Sequence, residues 1–144
     1  MARERNPGSG RAIRLVTEVP GPRSREIVAR RDAATPRGAA RLTPIAIASA
    51  EGAVVEDVDG NRLLDFAGGI GTLAVGHCPP GVVEAVTAQA GRLIHACAIV
   101  ASYEPFVRVA ERLNELTPGS FEKKTLLMNT GAEAVEAAVN LART

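Results

Sequence analysis

Thr125-Leu-Leu-Met-Asn-Thr-Gly-Ala-Glu-Ala134 is the stretch whose reading decides the fold. Its apolar run, Thr125 to Met128, has a strand's length and no polar alternation, which predicts a fully buried strand. After Asn129-Thr130-Gly131, residues Ala132 to Arg143 read as a helix, with Val135, Ala138, Val139 and Ala142 on one face. A buried strand, a tight Gly-bearing turn and a helix N-terminus belong to an α/β fold. They also make an anion site, because the first N–H groups of a helix lack intrahelical partners and the helix dipole favours negative charge there. A phosphate is the natural guest. The turn is neither of the common nucleotide loops: no Gly-Lys-Ser/Thr ends it and the three-glycine spacing is absent. Many such junctions bind nothing, so the rest of the chain has to decide.

Upstream, Ile45 to Phe66 is the clearest β region. Ala53–Val58 and Arg62–Phe66 flank Asp59-Gly60-Asn61, and Asp-Gly between two β-prone runs predicts a hairpin with a type I′ turn. Ala67-Gly-Gly-Ile-Gly71 follows, a glycine cluster expected to be too flexible for regular structure. It is either an ordinary loop or one where backbone closely approaches a ligand or a second subunit. Helices are predicted from about Gly81 to Leu93, opened by Pro79-Pro80, and from Phe106 to Leu116, opened by Pro105 and stopped by Thr117-Pro118-Gly119. Residues 1–24 carry repeated Pro and Gly and read as an irregular arm. A short helix, Arg25 to Ala34, is expected after it, with Ser24 as N-cap and Thr35-Pro36 as its stop. These pieces divide into an arm (1–44), a β region with the Gly-rich loop (45–75), a helical connection (76–124) and the strand-turn-helix (125–144).

The 144 residues are one domain's worth of chain, 46% hydrophobic and 23% charged, with no run long enough to cross a bilayer. No membrane partner is expected. Net charge is +1, unevenly spread: residues 1–41 carry a balance of +6 and residues 42–144 one of −5. A basic arm can be a nucleic-acid tail. This one contains Ile13, Leu15, Val16, Ile27 and Val28 and no aromatic residue, which favours packing on protein over binding nucleic acid. Aromatic stacking surfaces are also excluded, since the chain has no Trp, only Tyr103, and Phe at 66, 106 and 121. No apolar segment follows Arg3-Glu4-Arg5, so no secretory signal is read there. Cys78 and Cys97 suit a reducing compartment, with the cytoplasm as the expected location. His77-Cys78 and His95-Ala-Cys97 could supply zinc ligands, but their spacing matches no common zinc pattern. A turn histidine and two small buried thiols are expected instead.

Read in order, these pieces resemble the N-terminal part of the class III aminotransferases, pyridoxal-phosphate enzymes of fold type I. The runs that carry the resemblance are Val55-Glu-Asp-Val-Asp-Gly-Asn-Arg-Leu-Leu-Asp-Phe66, Gly68-Gly-Ile70, Gly76-His77, Val82-Val-Glu-Ala-Val86, Gln89, Tyr103-Glu-Pro105 and Asn129-Thr-Gly-Ala-Glu-Ala134. Within the class the chain is most similar to 4-aminobutyrate aminotransferases. The resemblance implies pyridoxal 5′-phosphate as cofactor, an amino donor and a 2-oxo acid as substrates, and a homodimer with the Gly-rich loop near the subunit interface. It implies that the Gly131 and Ala132 amides hold the cofactor phosphate and that the Thr130 hydroxyl adds a contact. Ile70 matches a substrate-pocket position where an aliphatic residue accompanies ω-amino acids. Ile99 falls at a second pocket position, where 4-aminobutyrate enzymes can carry a polar residue, so it departs from them.

Transamination through this cofactor also needs a lysine that links to it and moves a proton, a carboxylate for the pyridine nitrogen, and usually an arginine for the substrate carboxylate. Lys123 and Lys124 are the only lysines and read as a solvated turn. In the family the Schiff-base lysine lies far downstream, which here means beyond Thr144. The resemblance therefore implies an N-terminal fragment, inactive alone, with apolar helix faces that favour self-association. Two alternatives remain open: a non-catalytic stub that associates with a partner chain, and another class III enzyme of the acetylornithine or ornithine type.

Overall fold

The computed structural model describes residues 12–143, so the first eleven residues of the expected arm lie outside the described residues. Residues up to Ala88 form one compact unit and residues from Gln89 another.

The first unit is built on a three-stranded antiparallel sheet in the order β1-β2-β3, with β1 Ile47–Glu51, β2 Val54–Asp57 and β3 Arg62–Leu64. β2 and β3 pair Val54 with Leu64, Val55 with Leu63 and Glu56 with Arg62, as the hairpin reading requires. The turn is not type I′. That turn needs positive φ at both central residues, whereas Gly60 alone in 58–61 has it, at 88°. The bonds Gly60 N–H to Asp57 O and Asp57 N–H to Asn61 O close a wider loop. Its side chains explain the width: Asp57 Oδ1 accepts from the N–H groups of Asp59 and Asn61, at 2.9 and 2.8 Å, an arrangement a two-residue turn has no room for.

This turn organises everything around it. Val55 is the one buried large hydrophobic residue among the described residues, and the most deeply buried side chains are polar: Ser24, Asp57 and Asn61. Asn61 Oδ1 accepts from the N–H groups of Val16 and Thr17, while its Nδ2 donates to Thr17 Oγ1 and Asp57 Oδ2. Backbone bonds in both directions between Arg14 and Arg62 extend the same seam, so the end of the arm lies along the sheet edge.

Helix α1 (Pro22–Ala34) begins three residues before its predicted start, and Ser24 is not its N-cap. Pro22 takes the first helical position, where its missing N–H costs nothing. Gly21 stands at the cap, and the orphan N–H groups of Arg23 and Ser24 are taken by the two carboxylate oxygens of Asp59, at 2.8 and 2.9 Å. Glycine is needed at 21 because a Cβ there would lie 2.3 Å from Asp59 Cγ. Asp59 thus fastens α1 to the hairpin turn. Burial pushes its carboxyl up, but hydrogen bonds from the Ser24 side chain and the Arg23 and Ser24 amides, with the Arg23 charge, outweigh it and hold it below the usual carboxylate range.

Residues Gly68–Gly71 form one helical turn, α2. The cluster predicted to be irregular is ordered, and it is left-handed: all four residues have positive φ, from 50° to 80°. α3 follows over Pro80–Ala90, ending three residues earlier than predicted, and leads into the second unit.

In the second unit, α4 (Glu104–Leu116) begins two residues before its predicted start, with Pro105 in its first turn, and ends at Leu116 as read, with Thr117 as its C-cap. Phe106, Ala110 and Asn114 are its half-buried positions, at four-residue spacing. Tyr103 stacks obliquely on Phe106 with ring centroids 5.7 Å apart. The expected buried strand is not formed. Thr125 to Met128 has no strand beside it among the described residues, and a strand exists only where a neighbour takes its backbone bonds. Leu126 and Met128 are exposed. What fixes the run is a side chain, Thr125 Oγ1, which donates to Asn114 Oδ1 at 2.7 Å and lies near Ala110 O on α4. α5 (Gly131–Ala142) matches its predicted span within a residue at each end, although its expected inner residues Val135 and Val139 are exposed.

Candidate functional site

The N-terminus of α5 carries a complete capping box. Thr130 Oγ1 accepts from Glu133 N–H at 3.1 Å, and the Glu133 carboxylate reaches back to accept from the N–H groups of Asn129 and Thr130, each at 3.0 Å. Those bonds fix the direction of the helix entry. They leave the amides of Gly131 and Ala132 with no protein partner among the described residues. Two adjacent N–H groups at the positive end of a 12-residue helix are an anion cradle. A Cβ at Gly131 would meet nothing within 4 Å, so no described residue crowds the start of the helix on that side. The chemistry of the two free amides suits a phosphate. Thr130 Oγ1 is occupied as an acceptor, yet its hydroxyl proton is available to a phosphate oxygen.

The second candidate element is the left-handed turn in the first unit. Glycine enters this region freely, but Ile70, at φ 57° and ψ 47°, is β-branched and bears a cost of roughly 1–2 kcal/mol. Its side chain is 85% exposed, so no packing around it offsets that cost. Backbone strain of this kind clusters at ligand sites. Beneath the turn, Asp65 Oδ1 accepts from the N–H groups of Ala67 and Gly68, both at 2.9 Å, and Asp65 Oδ2 accepts from Nε2–H of His77 at 2.7 Å. The His77 hydrogen bond is the main cause that holds the Asp65 carboxyl below the usual carboxylate range. The Gly68 amide helps, burial opposes, and the Ala67 amide and the His77 charge add to the lowering.

Ile99 lies in an irregular stretch of the second unit and is 96% exposed. Ile70 and the Thr130-Gly131-Ala132 turn belong to different units. The thiols of Cys78 and Cys97 are free and exposed, not buried as expected. Sequence reasoning missed the Asp65–His77 pair. An Asp three residues ahead of Gly68 was the available signal, because its carboxylate can take the N–H groups two and three residues on.

Residues 35–144 match the family model described as Aminotransferase class-III. The chain belongs to the class III aminotransferases. It is 50% identical over 129 residues to the 4-aminobutyrate aminotransferase of Mycobacterium leprae, a match covering 90% of this chain and 29% of that protein. It is also 50% identical over 117 residues to the 5-aminovalerate aminotransferase DavT of Pseudomonas putida, covering 81% of this chain and 28% of the relative. Among solved structures, the acetylornithine aminotransferase of Elizabethkingia anophelis superposes with a TM-score of 0.74 at 30% identity, covering 83% of this chain and 30% of that one. The fold is therefore that of the N-terminal part of a pyridoxal-phosphate-dependent aminotransferase, as the sequence resemblance implied. The chain spans under a third of the length of these relatives. Class III aminotransferases use pyridoxal phosphate and work on an amino donor and an oxo acid. No helix among the described residues is long and apolar enough to cross a membrane.

Proposed function

We propose that these residues serve a 4-aminobutyrate-type aminotransferase, which moves the amino group of an ω-amino acid to 2-oxoglutarate in the cytoplasm as a homodimer. The observation that carries this reading is the pair of unpartnered amides, Gly131 and Ala132, at the capped start of α5, in a chain half identical to enzymes named for 4-aminobutyrate and 5-aminovalerate. The amides and the Thr130 hydroxyl would hold the cofactor phosphate. When bound, pyridoxal phosphate supplies an electron sink that lets a carbon next to nitrogen lose its proton. This chain's part is to bind and to orient. In the first unit, the exposed aliphatic Ile70 would meet the donor, and it offers no charge to a second carboxylate, which suits an ω-amino acid; Ile99, in the second unit, is a separate exposed aliphatic candidate.

Neither lysine fits the proton-moving role. Lys124 is almost fully exposed beside Glu122, and Lys123 donates to Gly119 O and lies over the Phe121 ring, 5.4 Å from its centroid. A catalytic lysine needs desolvation to lower its pKa. The proton would therefore be moved by a lysine outside these residues, and the 144-residue chain alone would not transaminate. The exposed apolar residues Leu126, Val135 and Val139 favour a second reading, a non-catalytic chain that docks on a partner.

Gly131→Pro tests the cradle. Proline suits the first helical position, and Thr130 at φ −134° and ψ 157° already has the conformation a residue before proline needs, so the substitution deletes one N–H and leaves α5 in place. In a full-length chain, pyridoxal-phosphate affinity is expected to fall about tenfold, the effect of one lost hydrogen bond to a charged group. Unchanged affinity would remove the phosphate assignment.

A further inference from the structure

We propose that Asp65 and His77 are positioning residues for the amino donor: their hydrogen bond holds Ile70 in its left-handed conformation and so sets where the Ile70 side chain stands in the pocket. This rests on the reading of Ile70 as a pocket residue.

The argument starts from an imbalance. Ile70 occupies a backbone conformation disfavoured for its side-chain type, and that side chain is too exposed to be held by packing. The constraint must come from the ends of the loop. At its start, Asp65 N–H bonds to Ala53 O, continuing the sheet ladder beyond β3, while Asp65 Oδ1 gathers the amides of Ala67 and Gly68. At its finish, His77 exchanges both backbone bonds with Gly52, at 2.8 and 2.9 Å. Asp65 and His77 are thus each anchored to the same β1–β2 turn, at Ala53 and Gly52. Their side chains close the base of the loop with the 2.7 Å bond between Oδ2 and Nε2. The backbone is tightly set at that base, since a Cβ at Gly76 would stand 2.9 Å from Gly52 O.

Within the closed loop the spacing leaves little choice. Gly71 N–H reaches Ala67 O, Leu73 N–H reaches Gly68 O and Thr72 Oγ1 donates to Gly69 O, so each residue of the left-handed turn except Ile70 is tied by its own backbone. Releasing the base would let the turn relax toward conformations that β-branched residues prefer, and the Ile70 side chain would swing with it. His77 acts here through its Nε2–H. The ring is mostly covered and its bond to Asp65 occupies that nitrogen, which leaves a holding role rather than proton transfer.

The test uses the full-length holoenzyme. His77→Phe keeps the ring's volume and removes the bond. The Michaelis constant for the ω-amino donor is expected to rise about tenfold, the loss expected for one charge-assisted hydrogen bond, with kcat and cofactor content unchanged. His77→Gln, whose amide can replace Nε2–H, should restore the constant, whereas the shorter His77→Asn should not. In an Ile70→Ala background, His77→Phe should add nothing, since the side chain it positions is gone. If Ile70→Ala raises the donor constant and His77→Phe does not, the positioning role is wrong and the pocket reading stands. If Ile70→Ala itself changes nothing, the pocket reading fails and the inference fails with it. A His77→Phe enzyme that loses kcat, cofactor and thermal stability together, without rescue by glutamine, would reduce the pair to a structural brace and overturn the proposal.

Discussion

Replacing Asn61 by alanine perturbs the unit around β2 at its most connected point. The asparagine side chain is fully buried and makes four hydrogen bonds of 2.8–2.9 Å. Alanine leaves the amides of Val16 and Thr17, the Thr17 hydroxyl oxygen and the Oδ2 of Asp57 without the partner they now have. Val16 is exposed, so water regains part of the amide bonds; Asp57 is 1% exposed, so little water reaches its freed oxygen. At about 1 kcal/mol for each amide and somewhat more for the carboxylate, the loss comes to about 3–4 kcal/mol. Domains are stable by only about 5–15 kcal/mol, so this is a large share. Asn61→Asp separates shape from hydrogen bonding. It keeps both acceptor bonds from the arm but places a second carboxylate 2.8 Å from Asp57 Oδ2, where Nδ2 now donates. It should be at least as costly as alanine at neutral pH, because two buried like charges repel. Urea denaturation followed by circular dichroism measures the loss, and amide hydrogen exchange locates it. In Asn61→Ala the Val16 and Thr17 amides should lose their protection first. An alanine variant with unchanged midpoint and unchanged protection at those two amides would show that the arm is held by something other than this side chain.

Two further outcomes follow from the same unit. Gly76→Ala forces a side chain into φ 80° and sets its Cβ 2.9 Å from the Gly52 carbonyl oxygen, so it should destabilise by more than the roughly 1–2 kcal/mol of the left-handed conformation alone, read as a lowered melting temperature. Acid should loosen the two carboxylate clamps. Asp59 and Asp65 are both held below their ordinary pKa in the folded chain, so the stability they contribute is present in full above the unfolded-state value of about 4 and is lost as pH falls through the folded values. Exchange of the Arg23, Ser24, Ala67 and Gly68 amides should therefore accelerate together below about pH 4; if those amides exchange no faster relative to the rest of the chain, the clamps do not depend on ionised carboxylates.

What was legible in the sequence was whatever short-range chemistry decides. Pro105 and Thr117 bound α4, Asp-Gly marked the hairpin, and the Gly131 turn ahead of an apolar-faced run marked the start of α5. What was not legible depended on residues far apart. Ser24 is a good cap by type, yet the cap came from Asp59, 35 residues away, because the hairpin turn delivers a carboxylate to the helix start. Thr125 to Met128 has the composition of a buried strand, and composition cannot provide the neighbour that a strand needs. The glycine cluster looked like freedom. It is a left-handed turn, because three glycines permit that conformation and Asp65 with His77 selects it. Of the candidate site residues, the free amides at the start of α5 follow from the helix reading and their assignment to Gly131 and Ala132 from the family resemblance, whereas the pair beneath Ile70 was not legible, since it joins positions 65 and 77 through a loop whose path the sequence leaves open.

That contrast bears on how such a pocket is built. The first unit buries one large hydrophobic side chain among its described residues and three polar ones, so its order comes from hydrogen bonds more than from apolar contact. Apolar packing is tolerant of direction and sensitive to volume; hydrogen bonds are the reverse. On the proposed reading of Ile70 as a pocket residue, directional bonds at the base of the loop serve better than a packed side chain, because packing Ile70 would hide the surface a substrate would meet. The exposure of Ile70 and the enclosure of Asp65–His77 are then two sides of one arrangement. The strain at Ile70 is held in place from below by bonds that leave its side chain uncovered.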